Sequence, residues 1–277
     1  MTQSPLVKVD LEGDIAWVMV NNPPVNATSL QVRQGLADAV DAVKDARVAV
    51  LLCAGSTFIA GGDMSEFDSA PVEPHLPDVV QMIEDSPVPF VAQLHGNVLG
   101  GGFEIAMGCA WRIAAPGTRF GLPEVNVGLI PGAGGTQRLP RLAGMDVAID
   151  MACSGKLLTA EVLQELGGVD LVAENIDLAV REFVADLPAR PVPVSQRKVQ
   201  DIAPDLFEVS REVLKKRAKG QQSPPLLDYL SRRAARLTAE LPPMPDTRDA
   251  WESYKTTLVA QLETTLGLPE RQPMESA

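Results

Sequence analysis

Little in this chain invites metal, redox or polyanion chemistry. Its 277 residues include 3 cysteines and 2 histidines. Cys53, Cys109 and Cys153 are odd in number, widely spaced and set among apolar residues, so neither a disulfide framework nor a C-x-x-C pair is expected. They read as buried thiols in a reducing compartment. His75 lies in a Pro-flanked loop and His95 at a strand end, which leaves no histidine metal site, and no metal is expected. Aromatic residues make up only 4%. Basic side chains number 24 against 36 acidic ones, and the net charge of −12 repels nucleic acid and anionic lipid. No run of eighteen apolar residues occurs, and MTQSPLVKVDLEGD lacks the basic-then-apolar order of a leader. The expectation is therefore a cytoplasmic protein without membrane or nucleic-acid partners. G-x-S-x-G, H-E-x-x-H, G-x-x-x-x-G-K-[ST] and G-x-G-x-x-G are all missing, so the candidate acids and bases are carboxylates.

What is present fits a soluble α/β domain. Apolar residues make up 45% and charged ones 22%, and the length supports a sizeable core. LVKVDL and IAWVMV flank Glu12-Gly13-Asp14 and predict a hairpin. Ser29 is placed to cap a helix running to about Arg47, after which Val48 to Cys53 form a continuous apolar strand. Strand, helix, strand implies a right-handed parallel crossover. The alternation continues with a helix before Pro87, a strand at 90–94, a helix after Gly100, a strand at 111–114, a helix after Gly135, a helix capped by Thr159 and the short strand VDLV. PARPVPV at 188–194 divides this core, residues 1–190, from a C-terminal region, residues 191–277, whose segments 205–219, 226–240 and 247–266 read as helices. Lys215, Lys216, Arg217 and Lys219 form its one basic cluster, by default a solvated helix face.

Three glycine-rich turns carry the chemistry. In LGGGFEIAMGC, residues 99–109, three glycines follow a strand and open a helix, where unpaired amides and the helix dipole suit a developing negative charge. Glu104 stands on that helix among apolar residues. A first-turn acid, with glycines serving close packing, is the structural alternative. FIAGGDMSEF, residues 58–67, offers a second amide near Gly62, although a turn with Asp63 as helix cap explains it equally well. FGLPEVNVGLIPGAGGTQRLPR, residues 120–141, places Glu124 after Pro123, as a helix first turn also would.

In order and spacing, these segments resemble the enoyl-CoA hydratase/isomerase (crotonase) superfamily. The likeness runs from NNPPVNATSL to SGKLLTAEVLQELGGVDLV, over roughly residues 5–175, and beyond residue 190 LFEVSREVLKKRAKG is similar to the hydratase/isomerase half of the peroxisomal multifunctional β-oxidation enzyme. The resemblance implies a spiral of ββα turns with a C-terminal helical region that covers the site or serves assembly as trimers or hexamers. It also implies an acyl-CoA thioester substrate, with coenzyme A as part of that substrate and no separate cofactor. Carried onto matching positions, Gly62 and Gly101 become the oxyanion-hole donors and Glu104 and Glu124 the catalytic pair. Ala60, Asp63, Gly132, Arg197 and Lys198 become candidate substrate contacts. The basic residue that relatives often carry two places after the Asp is Ser65 here, which shifts the expected phosphate contacts to Arg197, Lys198 or the 215–219 cluster. Gly62 stands where many relatives have Ala, and its amide is unaffected. Two glutamates favour hydration of a trans-2-enoyl thioester. A Δ3,Δ2-enoyl-CoA isomerase and a catalytically silent acyl-CoA-binding protein remain the alternatives.

Overall fold

The computed structural model describes residues 6–66 and 72–199. The predicted tail helices and the 215–219 cluster lie outside them. β1 (Val7–Glu12) and β2 (Ile15–Val20) form the expected hairpin, with Val7 opposite Val20 and Glu12 opposite Ile15. α1 (Leu30–Ala42) crosses over to β3 (Val48–Cys53), which pairs in parallel with β2. The helix stops at Ala42, short of Arg47, with the Val43 N–H donating its last hydrogen bond to the Ala39 carbonyl at 3.1 Å.

From β3 onward one unit repeats three times: a strand in a large sheet, a short strand in a second sheet, then a helix. β3 is followed by β4 (Ile59–Ala60) and α2 (Leu76–Asp85). β5 (Phe90–Leu94) is followed by β6 (Asn97–Leu99) and α3 (Gly101–Gly108). β7 (Trp111–Ala114) is followed by β8 (Arg119–Gly121) and α4 (Gly135–Ala143). α5 (Met145–Ser154), β9 (Leu157–Thr159), α6 (Ala160–Glu165), β10 (Leu171–Val172) and α7 (Ile176–Ala185) complete the described chain. The large sheet has the order β1-β2-β3-β5-β7-β10 and the small one β4-β6-β8-β9. This is the ββα spiral that the resemblance implies.

The central strands β3, β5 and β7 of the large sheet are apolar on both faces but for Gln93 and Arg112, as strands covered on both sides are, whereas the edge strand β1 is largely polar. Ala49, Leu51, Phe90, Ala92 and Leu94 pack into the main core with α1, α2 and α3, while Val48, Val50, Val91, Trp111 and Ile113 meet Val180 and Val184 of α7. α3 is buried on every side, and its Phe103 stacks edge-on against Phe120 of β8 at 5.3 Å between centroids. A helix that is apolar all round belongs in the middle of a fold. The Pro-rich join is fastened to this core: Arg190 donates to the carbonyls of Glu84 and Ser86, and Val194 is buried.

The register of the small sheet positions the site. Ala60 pairs with Leu99 and Leu99 with Gly121, so the ends of β4, β6 and β8 stand side by side, roughly 4.8 Å between neighbouring strands. Gly61-Gly62, Gly100-Gly101 and Leu122-Glu124 are the residues that leave those three ends. All three turns singled out from the sequence therefore open on one rim.

Candidate active site

The three glycines at 100–102 do three different things. Gly100 has φ 53° and ψ −126°, a conformation that L side chains rarely adopt, and its amide donates to the Gly121 carbonyl at 2.9 Å. Gly102 permits close packing, since a Cβ there would lie 2.3 Å from the Ile59 carbonyl oxygen of β4. Gly101 opens α3, and its amide meets no protein acceptor among the described residues. The Gly62 amide likewise meets none, and Gly62 is exposed in the turn after β4.

Glu104 is 2% exposed, one turn into α3. Its Oε1 accepts from the Ala133 amide at 2.7 Å and the Gly135 amide at 2.8 Å. Those amides stand at the start of α4, where Gly134 at φ 95° reverses the chain so that both point the same way. The Ala133 and Gly135 amides of the GAGG run are thus taken by the protein's own carboxyl group. Arg138 ties this turn down: its guanidinium donates to the Ala133 carbonyl at 3.2 Å and to Glu84 Oε2 at 2.7 Å, all of it buried. Burial raises the pKa of Glu104, and the two amides and the Arg138 charge only partly oppose it.

Glu124 sits in a short 3-10 turn, Pro123–Val127, directly after β8. Its Oε1 faces the turn of α3, for a Cβ on Gly100 would lie 2.8 Å from it, and the next backbone atom from that point is the Gly61 Cα at 3.6 Å. Its Oε2 is buried and takes no hydrogen bond among the described residues. Burial pushes its pKa up to about 7, the nearby Glu104 charge adding to the rise and a bond to its own backbone opposing it. Two carboxylates thus share one rim in unlike surroundings. One is cradled by amides, and the other has an orphaned oxygen and a proton to give near neutral pH.

The remaining candidates divide. Ala60 stands at the end of β4, its amide bonded to the Val25 carbonyl at 3.1 Å, and Gly132 is an exposed residue of the loop that carries Ala133. Asp63 turns back to cap its own loop, accepting from the Ser65 amide at 3.0 Å and hydroxyl at 2.7 Å, and those bonds lower its pKa. Arg197 lies beside Gly108, Cys109 and Ala110 at the other end of α3, about 10 Å along the helix from Gly101. There its Nε donates to the Val192 carbonyl at 2.9 Å, while Lys198 is exposed. Sequence reasoning did not find Ala133, Gly135 or Arg138. The signal available for them was a glycine run opening a helix that lacks the lysine of a phosphate loop.

Comparison with known proteins gives the family. Residues 10–187 match the family described as Enoyl-CoA hydratase/isomerase, and the chain belongs to it. A peroxisomal bifunctional enzyme of Danio rerio is 37% identical over 221 residues, covering 76% of this chain but 30% of the relative. The chain thus spans about a third of the length of that relative. A probable enoyl-CoA hydratase of Bacillus subtilis (strain 168) is 37% identical over 171 residues, 58% of this chain and 66% of the other. Among solved structures, an enoyl-CoA hydratase from Thermoplasma volcanium superimposes with a TM-score of 0.63 at 28% identity, covering 82% of this chain and 96% of its own.

Proposed function

We propose that this protein adds water to trans-2-enoyl-CoA thioesters. The thioester oxygen is held by the amides of Gly62 and Gly101, which leave adjacent strand ends and are otherwise unbonded among the described residues. Each such donor stabilises the enolate oxygen by roughly 3 to 4 kcal/mol in a water-poor site. Glu104 takes a proton from the attacking water as its oxygen bonds to C3, and the electron pair of the double bond moves toward the thioester oxygen. Glu124 then gives its proton to C2 as the enolate collapses. Acid and base are assigned by environment: Glu104 has two amide donors to stabilise its anion, whereas Glu124 has a carboxyl proton held to about pH 7. Coenzyme A enters only as the thiol part of the substrate.

Glu124, with Oε1 facing the Gly100 turn and a buried Oε2 that has no partner among the described residues, is the observation that carries this reading, because a merely structural acid would be paired. The test mixes purified protein with crotonyl-CoA and longer 2-enoyl-CoAs and follows loss of the conjugated thioester absorbance. Turnover is expected. Isomerisation of 3-enoyl-CoA with no hydration of 2-enoyl-CoA would replace the reading with an isomerase, and acyl-CoA binding without turnover would replace it with a silent binder.

A further inference from the structure

The two amides of the oxyanion hole are not held alike. Gly101 belongs to a buried helix, and the Gly100 carbonyl is fixed by the Glu104 amide at 3.0 Å. Across a planar trans peptide the C=O of one residue and the N–H of the next point in opposite directions, so that bond also aims the Gly101 N–H. Gly62 has no such helix. It lies exposed between Gly61, at φ 108°, and the short turn Met64–Glu66.

We infer that the segment Thr28–Arg33 is the positioning platform for the Gly62 amide, an inference that rests on the oxyanion hole proposed above. Thr28, 3% exposed, donates from its amide at 3.1 Å and from its hydroxyl at 3.5 Å to the Gly61 carbonyl. Fixing that carbonyl on the Thr28 side directs the Gly62 N–H to the opposite side by the same peptide geometry. The loop is then secured a second time, beyond Gly62. Glu66 Oε1 accepts from the Leu30 amide at 2.6 Å, and its Oε2 pairs with Arg33 at 2.7 Å. Arg33 also donates to the Thr28 carbonyl at 2.8 Å and the Pro74 carbonyl at 2.9 Å. Gly62 is thereby suspended between two anchorages on one rigid helix start, each made by residues that touch no reacting atom. Thr28, Arg33 and Glu66 are positioning residues.

Thr28→Val removes the hydroxyl donor and keeps the shape, Glu66→Gln removes the charge that binds Arg33, and Thr28→Ser restores the hydroxyl. The first two are expected to lower kcat roughly tenfold with KM little changed, a fraction of the loss from deleting a donor outright, and Thr28→Ser to recover it. A direct readout is the infrared stretch of the thioester carbonyl in 2-enoyl-CoA bound to Glu104→Gln protein, which falls when both amides grip it. Adding Thr28→Val or Glu66→Gln to that protein is expected to return the frequency at least halfway toward the free value. Only folded, ligand-bearing protein contributes to this signal, and Thr28→Ala, which cannot overpack, replaces the valine variant if that one melts. Frequencies and kcat equal to those of the parents would overturn the inference. Parent protein that neither hydrates 2-enoyl-CoA nor shifts its carbonyl would instead strike the proposed function.

Discussion

The two ends of α3 handle polar groups in opposite ways. At the C-terminal end Arg112, fully buried, uses its guanidinium to close the helix: it donates to the carbonyls of Ala106, Cys109, Ala110 and Gly168 and pairs with Asp170 at 2.8 Å. Each of its nitrogens has a partner. At the N-terminal end the Gly101 amide has no acceptor among the described residues, and Glu124 keeps one buried oxygen unpaired. A buried polar group left without a partner costs about 1 to 3 kcal/mol, so a fold tolerates it only where the rest of the structure compensates. The saturated end holds the helix; the unsaturated end is free to bind something else.

That contrast can be broken from either side, and the largest effect is expected at the saturated end. Arg112→Met removes the guanidinium bonds to Asp170 and to four carbonyls, leaving Asp170 only the backbone amide of residue 112, and should destabilise the protein by about 3 to 5 kcal/mol, read from urea unfolding, with kcat of the folded fraction unchanged. At the other end Glu104→Gln and Glu124→Gln should each lower turnover of crotonyl-CoA by at least about a hundredfold without lowering the unfolding midpoint. If either variant lost activity only by unfolding, the two ends would not differ in kind.

The pH profile sharpens the comparison further. Glu124 must hold its proton to act as the acid, so kcat/KM should fall about tenfold per unit above roughly pH 7, while ionisation of Glu104 sets the acidic limb. A rate flat from pH 6 to 9 would remove Glu124 from the acid role. The smallest effect is on stability. The folded value of Glu124 lies above its ordinary 4.5, so the folded state favours the proton and loses stability as pH rises from there through about 7. Glu124→Gln removes that loss. It should unfold about 1 to 2 kcal/mol harder than the parent at pH 8, after allowing for solvent screening, with no difference at pH 4.

The large sheet was legible because Val48–Cys53 is an unbroken apolar run of strand length and Phe90–Leu94 is apolar but for Gln93. The small sheet was not, since β4, β6, β8 and β9 have two or three residues each, too few for any period to register. Helix capping misled in a similar way. Ser29 precedes α1 as expected but makes no capping bond, and its buried hydroxyl has no partner among the described residues. The Leu30 amide instead goes to Glu66, thirty-six positions away along the chain. Thr159 also stands before its helix without a side-chain cap. Local signals located the helix starts, and distant residues supplied the bonds.

Within the site, Gly62, Gly101, Glu104 and Glu124 were singled out by the resemblance, carried onto matching motifs, while the residues alone left a structural alternative open for each turn. The sequence alone thus determined which groups exist: two amide-bearing glycine turns and two acids in an apolar setting. Tertiary structure decided what those groups are. Register between β4, β6 and β8 brings the turns to one rim. Burial and unequal partners then set the two carboxyl groups apart, Glu104 bonded by two amides and Glu124 with a buried oxygen unpaired among the described residues, since solvation and hydrogen bonding depend on neighbours that the linear order does not reveal.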